Sequence, residues 1–369
     1  MSGRRRSMTK CILPSGDGYG WGICGGKVSS ILESRGLVEI VRDYPKVGYV
    51  EDEGSVLQAI ASVQFNPFSG VVADLDHSNI GFGFIEDNLL AAKFAPMGRR
   101  FWDIVICGSS WMANWMHNLG FDTEVILQGV DHSVFQLVDP PNNDFFTVGS
   151  FGKFEYRKSQ DVVIKAFSVL RSRHKDVRLM ALWGNQWLKQ STHLFQAKDW
   201  LFDGGNYSLD DIKNALHRAG IGSSLGDDVV LDGNVMNHLV PKIMSKCDVA
   251  IFPARCEAGQ ALPFQEATAM GVPSIVPVAT GFTDYTDRID YPMGDLLLRG
   301  GKVYTHSSSG VDLGEWTKPC LDEVVSQLEY AYQMRDKLRS DRKKIADFGG
   351  QFTWDATADR FEEVLNAWS

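Results

Sequence analysis

Apolar and polar positions along the 369 residues fall into short apolar runs separated by amphipathic stretches. In the first half, runs at 10–14, 38–42, 70–74, 103–107 and 124–128 read as strands, with a further short apolar segment at 80–85. Residues 26–35, 55–64 and 110–119 carry helical spacing. A cluster rich in Pro, Asn and Asp follows, Asp139-Pro140-Pro141-Asn142-Asn143-Asp144, and marks a boundary. The second half repeats the alternation, with strands at 145–150, 177–183, 229–231, 249–252 and 274–278 and helices at 159–173, 209–219, 238–246 and 263–270. In the first of these helices the apolar residues stand at 162, 163, 166, 167 and 170, which is one helical face. Beyond residue 320 the pattern turns helical, over 321–346 and again over 355–368. Strands and helices alternating at this spacing predict an α/β chain of parallel sheets covered by helices on both faces. Two such units joined by one linker imply a cleft between them, the usual ligand site of this architecture.

Composition narrows the class. The length suits two domains, and 44% hydrophobic with 22% charged residues describes a globular chain. A formal charge of −9 argues against nonspecific binding to polyanions, which needs clustered Lys and Arg. The six cysteines are scattered, with no C-x-x-C pair, and read as reduced thiols of a reducing compartment, which places the protein in the cytoplasm. The basic start MSGRRRSMTK has no apolar segment of signal-peptide length after it, and no run of 18 apolar residues predicts a membrane span.

The chemistry concentrates in two stretches. In PARCEAGQALPFQEATAMGVPSIVPVATGFTDY an apolar run delivers the chain to Arg255, Cys256 and Glu257. A Gly-containing loop then leads into a helix that carries Glu266. Ligands of parallel sheets bind at the carboxyl ends of strands, beside helix N-termini that attract phosphate. An ionised carboxylate there suits paired sugar or ribose hydroxyls. The plain alternative for Glu266 is a charge placed to suit the helix dipole. The second stretch, Gly152-Lys153-Phe154-Glu155-Tyr156-Arg157-Lys158, follows a strand and precedes a helix, so three cations converge where a departing diphosphate would need them. A solvated basic turn is the plain alternative here.

GKFEYRKSQDVVIKAF followed by FPARCEAGQALPFQEATAMGVPSIVPVATGFTDY resembles the donor-binding domain of the retaining glycosyltransferases of family 4. Trp111 in SSW, GVDHSVF at 129–135, WTKPCLDEVV and FTWDATADRFEEVL are similar to further segments of that family, and the resemblance is specific over residues 100–369. It implies the GT-B fold. An N-terminal Rossmann-like domain over 1–138 would take the acceptor, a C-terminal one over 139–350 the sugar nucleotide, and a helix over 351–369 would cross back to the first. It also implies roles. Lys153, Arg157 and Lys158 would lie against the diphosphate and Glu257 would face the donor sugar. Backbone amides of Ala258, Gly259 and Gln260 would touch sugar or phosphates, Glu266 the ribose, and Asn185 and Val235 would border the nucleobase. One departure stands out: eight residues, 258–265, separate the two glutamates, where the usual family motif has seven.

Four glycines in Gly16–Gly22 let the backbone approach a ligand, although the run is neither G-x-G-x-x-G nor a P-loop. In the family the corresponding loop faces the donor phosphates, which assigns Gly18, Tyr19 and Gly20 to the donor. Asp74, Asp76 and His77 invite a metal reading, but two carboxylates at i and i+2 after a strand are ordinary loop composition, and no metal is expected. His77 is instead an acceptor-side candidate, with Glu86, which resembles a family glutamate after a short apolar strand. Trp183, Trp187, Trp200 and Trp316 could stack on a base or sugar, with core packing as the plainer reading.

The expectation is a metal-independent hexosyltransferase that moves sugar with retention from a UDP- or GDP-sugar to a hydroxyl acceptor, with no cofactor beyond that donor. A glycan, a small metabolite or a modified nucleic-acid base would each serve as acceptor. Nucleic acid is disfavoured by the acidic body, and no membrane insertion is expected. Two alternatives stay open, a sugar-nucleotide 2-epimerase of the same fold and a non-catalytic sugar-nucleotide-binding protein.

Overall fold

The computed structural model describes residues 8–41, 54–60, 78–142, 144–184, 209–222, 228–230, 235–290, 292–308 and 310–368. The chain divides into two units. One runs to Gly129 and takes in Ala258–Gln260 and the segment from Phe352; the other holds Val130–Glu257 and Ala261–Gln351.

The first unit is built in the order β1 (Thr9–Ile12), α1 (Gly20–Ser34), β2 (Val38–Ile40), β3 (Val56–Ile60), β4 (Asn79–Gly83), α2 (Asn88–Gly98), β5 (Ile104–Cys107), α3 (Ser110–Asn118) and β6 (Thr123–Val125). Its described strands form one parallel sheet of order β2-β1-β3-β4-β5-β6. The strand order reverses at β1, because α1 carries the chain to β2 on one side while the later strands fill the other. The loop after β1 therefore opens at a switch point, where such sheets bind ligands.

Residues 55–64 are predicted to be helical; of these, Val56–Ile60 is instead the strand β3, and 61–64 lie outside the described residues. Val56, Leu57 and Gln58 are buried in succession, as in a central strand covered on both faces. β3 pairs with β1 on one side and β4 on the other, so sheet pairing on both edges overrides the local spacing. α1 also starts earlier than residue 26, inside the Gly-rich run. A Cβ at Gly25 would lie 2.1 Å from the Pro14 carbonyl oxygen, and one at Gly22 would meet the Tyr19 ring at 2.7 Å. Those glycines thus let the helix lie hard against the loop that follows β1, and they cost helix propensity where packing needs it.

The second unit runs β7 (Phe146–Phe151), α4 (Gln160–Arg173), β8 (Val177–Leu182), α5 (Leu209–Arg218), β9 (Asp228–Val230), α6 (Val240–Met244), β10 (Val249–Ile251), α7 (Leu262–Ala269), β11 (Ser274–Pro277), α8 (Thr283–Thr286) and β12 (Leu297–Leu298). Its parallel sheet has the order β12-β11-β10-β7-β8-β9. β7 is buried along its whole length, as a central strand covered on both faces should be. Here the switch lies between β7 and β10, and the two loops singled out in the sequence leave those two neighbouring strands.

Two further pieces of the second unit differ from the sequence pattern. β13 (Lys302–Ser308) and β14 (Val311–Lys318) form an antiparallel hairpin. The helical stretch expected over 321–346 is three helices, α9 (Leu321–Gln333), α10 (Arg335–Ser340) and α11 (Arg342–Gly349). The breaks fall at Met334 and Asp341. Asp341 is held by Lys337 at 2.9 Å and Lys344 at 3.1 Å, and Arg339 reaches the buried Asp248 at 2.7 Å.

The last helix, α12 (Trp354–Trp368), belongs to the first unit. Arg35 of α1 pairs with Asp359 at 2.7 Å and Glu362 at 3.1 Å, Thr357 donates to the Leu127 carbonyl at 2.8 Å, and Phe361 meets Phe82 edge-on. Among the described residues no helix is long and apolar enough to cross a membrane. All six cysteines are unbridged and five are buried; burial lifts Cys11 to about 11 and Cys24 to about 12, so neither thiol is a ready nucleophile at neutral pH.

Candidate active site

The cationic loop leaves β7 and makes one 3-10 turn, Tyr156–Lys158, before α4. Ser159 links turn to helix with φ 61°, a left-handed conformation that costs a non-glycine residue about 1–3 kcal/mol. The neighbouring loop, after β10, carries Glu257. Arg157 Nη1 donates to Glu257 Oε2 at 2.9 Å, and Lys158 Nζ pairs with the other carboxylate oxygen. The structure thus brings together four expected residues, Lys153, Arg157, Lys158 and Glu257, around one partner that was not singled out, Glu155. Glu155 pairs with Arg157 Nε at 2.9 Å and with Lys153 at 3.4 Å.

The electrostatics follow from this packing. Burial disfavours a charged Glu155, but Arg157, Lys153 and Lys158 outweigh it and hold the carboxyl at about 2. Burial and the adjacent Arg157 pull Lys158 below its ordinary value, against the lifting effect of Glu257 and Glu155. Three cations and two carboxylates form one interlocked group whose positive excess is small.

A buried ion pair sets the geometry of that group. Arg255 donates to both oxygens of Asp161, at 2.8 and 2.7 Å, and also to the Tyr156 carbonyl at 2.7 Å and Ser159 Oγ at 3.1 Å. Its guanidinium lies 3.8 Å above the Tyr156 ring. The Arg255 amide donates to the Arg157 carbonyl at 2.6 Å, and Arg157 Nη1 reaches back to the Cys256 carbonyl at 3.3 Å. The two loops are therefore stitched together at both backbone and side chain. From beneath, the hairpin adds His306, stacked on Trp316 at 4.0 Å and next to Tyr156 at 5.2 Å. Burial and Arg255 lower His306 to about 4, so it stays neutral there.

Glu257 is fixed from the far side as well. Its amide donates to Thr280 Oγ1 at 3.1 Å, and the Gly281 amide donates to its carbonyl at 2.7 Å. Thr280 has φ 50° and holds that clamp in a left-handed turn. Glu266, on α7, is a separate feature of the same unit. Asn237 donates to it at 3.0 Å, and Val235 lies two residues before Asn237. Burial raises Glu266 to about 7, only partly countered by the Asn237 hydrogen bond.

Gly18 is exposed, Tyr19 and Gly20 are half-buried, and all three lie at the switch point of the first sheet, where α1 begins. Glu86 is half-buried three residues beyond β4. Ala258, Gly259 and Gln260 are buried and group with the first unit; Ser109 Oγ donates to the Ala258 carbonyl at 2.5 Å. Asn185 and His77, with Asp74, Asp76, Trp187 and Trp200, lie outside the described residues. Trp183 and Trp316 are core side chains: Trp183 donates to Ser150 Oγ at 3.0 Å, and Trp316 lies under His306.

Residues 143–291 match the family described as glycosyl transferases group 1. The matched residues carry both charged loops, the one after β7 and the one after β10. Comparison with curated proteins finds no match. Solved structures resemble the chain along its length. Sucrose-phosphate synthase from Thermosynechococcus elongatus shares 14% identity at TM-score 0.66, over 98% of this chain and 99% of that one. HepE of Anabaena in complex with UDP-glucose shares 14% at TM-score 0.59, over 98% and 100%. Trehalose-6-phosphate synthase, in a study of glycosyl transfer with retention, shares 12% at TM-score 0.57, over 85% and 74%. At such identities the likeness is one of fold, and the fold is GT-B with two parallel-sheet α/β domains.

Proposed function

We propose that this glycosyltransferase moves a hexose from a nucleoside diphosphate sugar to a hydroxyl acceptor with retention at the anomeric carbon, without metal, in the cytoplasm. The observation that carries the reading is the convergence of Lys153, Arg157 and Lys158 with Glu257 at the switch point of the second sheet. Preorganised cations there would stabilise the negative charge that grows on the diphosphate as the C1–O bond breaks. The acceptor hydroxyl would attack from the face the diphosphate leaves, and its proton would pass to the departing phosphate oxygen, so no protein nucleophile is needed. Glu257 would hold Arg157 and Lys158 in place, and Glu266 with Asn237 would take ribose hydroxyls, with Val235 near the base. Gly18–Gly20 and Glu86 would serve from the first domain. HepE carries UDP-glucose in its solved complex, which favours a UDP-sugar as first candidate, and the trehalose enzyme was studied for transfer with retention.

A thermal-shift panel of UDP-, GDP-, ADP- and TDP-sugars tests the reading, since a bound donor stabilises the native state by mass action. Saturation at 100 times the dissociation constant should add about 2.7 kcal/mol. No shift with any of the four would refute it. Incubating the best donor without acceptor separates the epimerase alternative: a transferase hydrolyses it slowly, whereas an epimerase converts the sugar.

A further inference from the structure

Among the described residues two that are not glycine hold a left-handed backbone, Ser159 with φ 61° and Thr280 with φ 50°. Elsewhere the chain uses glycine for this conformation, as at Gly36, Gly120 and Gly271, because a residue without Cβ avoids the steric cost. Both exceptions touch the loops of the charged group in the second unit. Ser159 closes the turn that carries Arg157 and Lys158, and its Oγ accepts from Arg255 Nη1 at 3.1 Å. Thr280 opens the turn that follows β11, and its Oγ1 accepts from the Glu257 amide at 3.1 Å. Both side chains are buried, so each hydroxyl serves a donor inside the protein and not solvent. Glycine would adopt either conformation at less cost, and it would supply neither acceptor.

We propose, on the reading given under Proposed function, that Ser159 and Thr280 are positioning residues for the diphosphate, retained at strained positions for their hydroxyls. Backbone strain of this kind persists only where the surroundings over-determine it. Here the surroundings are the charged loops themselves. Arg255 Nη1 donates to Ser159 Oγ and also to the Tyr156 carbonyl at 2.7 Å, so the residue that opens the cationic turn and the one that closes it hang on a single guanidinium nitrogen. Thr280 Oγ1 takes the Glu257 N–H while the Gly281 amide takes its carbonyl at 2.7 Å, so the backbone of Glu257 is held on both sides. The Glu257 carboxylate, held by that backbone, in turn holds Arg157 and Lys158. Neither hydroxyl needs to touch the ligand; each acts through the aim of these two cations.

The test uses the full chain with Ser159→Gly, Ser159→Ala, Thr280→Gly, Thr280→Val and Thr280→Ser. Urea midpoints of the unliganded proteins read stability, and titration calorimetry with UDP, GDP, ADP and TDP reads the charged group. Glycine removes the strain together with the hydroxyl, whereas Ala and Val remove the hydroxyl and keep the strain. Each glycine variant should therefore be more stable than the Ala or Val variant at the same site. Affinity for the nucleoside diphosphate that the wild type binds best should nevertheless fall fivefold or more in all four. Thr280→Ser keeps the hydroxyl and should bind within twofold of the wild type. Should the Ala or Val variant fail to fold, the glycine variant decides for its site. A wild-type protein that binds none of the four nucleotides refutes the donor reading, and the two positioning roles with it. Binding by the wild type, with affinity in the glycine variants restored along with stability, refutes the positioning roles alone.

Discussion

Asp161→Ala isolates the ion pair that sets the geometry of the charged group. Asp161 supplies two of the four acceptors around the Arg255 guanidinium, and both side chains are 2% exposed. Removing it leaves a buried cation with only the Tyr156 carbonyl, Ser159 Oγ and the Tyr156 ring. Breaking one partner out of a buried pair costs about 3–5 kcal/mol. At about 2–4 °C per kcal/mol for a domain of this size, Tm should fall by roughly 6–20 °C. The double change Asp161→Leu with Arg255→Met removes both charges and should recover most of that loss, because buried pairs replaced by apolar side chains are often neutral. It should not recover ligand binding. Without the Arg255 guanidinium the hydrogen bonds from that loop to the Tyr156 carbonyl and Ser159 Oγ are lost, and the turn that aims Arg157 and Lys158 loosens.

Urea unfolding followed by tryptophan fluorescence reads the stability arm, since Trp183 and Trp316 are both fully buried in the second unit. Titration with bare nucleoside diphosphate reads the geometry arm, with a tenfold or greater loss expected for the double variant. A cost below about 1 kcal/mol for Asp161→Ala would refute the buried-pair argument, because surface pairs are worth that little. Wild-type nucleotide affinity in the double variant would refute the positioning argument.

Three other outcomes follow from the same geometry. Glu266 has its folded value raised from 4.5 to about 7, so it contributes stability below pH 4.5 that is lost as pH rises through 7; stability of the unliganded protein should decline by about 3 kcal/mol over that window, and Glu266→Gln should flatten the decline in urea midpoints measured at each pH. Lys158→Ala should lower donor turnover by about 10²–10³, as loss of one group that stabilises developing charge does, with far-ultraviolet circular dichroism unchanged; Glu257→Ala should do the same, and full turnover in both would remove these residues from the site. Gly25→Ala puts a methyl 2.1 Å from the Pro14 carbonyl and should destabilise the first unit by about 1–3 kcal/mol, read by hydrogen exchange of β1 amides.

Much of the second unit was legible because its strands are short, apolar and bounded by turn residues, and each is followed by a loop whose chemistry differs from its surroundings. Lys153, Arg157, Lys158 and Glu257 come together as the motif spacing implied. The partners that hold them were not legible. Arg255 and Asp161 are 94 positions apart, and only the adjacency of β7 and β10 makes them neighbours. The hairpin beneath Tyr156 has polar and apolar positions that strand pairing explains only once His306 and Trp316 are seen stacked on its inner face. In the first unit, the segment at β3 misled because five residues are too few to separate the two periods, and pairing on both edges decided the outcome.

The interlocked group also explains why so much cationic charge can sit in a buried place. Three bare cations in a protein interior would each depress the others' protonation, and Lys158 is already lowered, by burial first and then by its neighbour Arg157. Glu155 and Glu257 counter this, and they do so unequally in space: Glu155 lies on the Lys153 and Arg157 side, Glu257 on the Arg157 and Lys158 side, so Arg157 bridges both. A diphosphate arriving at this group would meet donors already aimed, at the cost of exchanging carboxylate contacts for phosphate ones. Since the carboxylates would lose what the phosphate gains, ground-state binding would be held down. The growing charge of a departing diphosphate would strengthen only the phosphate contacts, and stabilisation that rises toward the transition state is the kind that accelerates reaction.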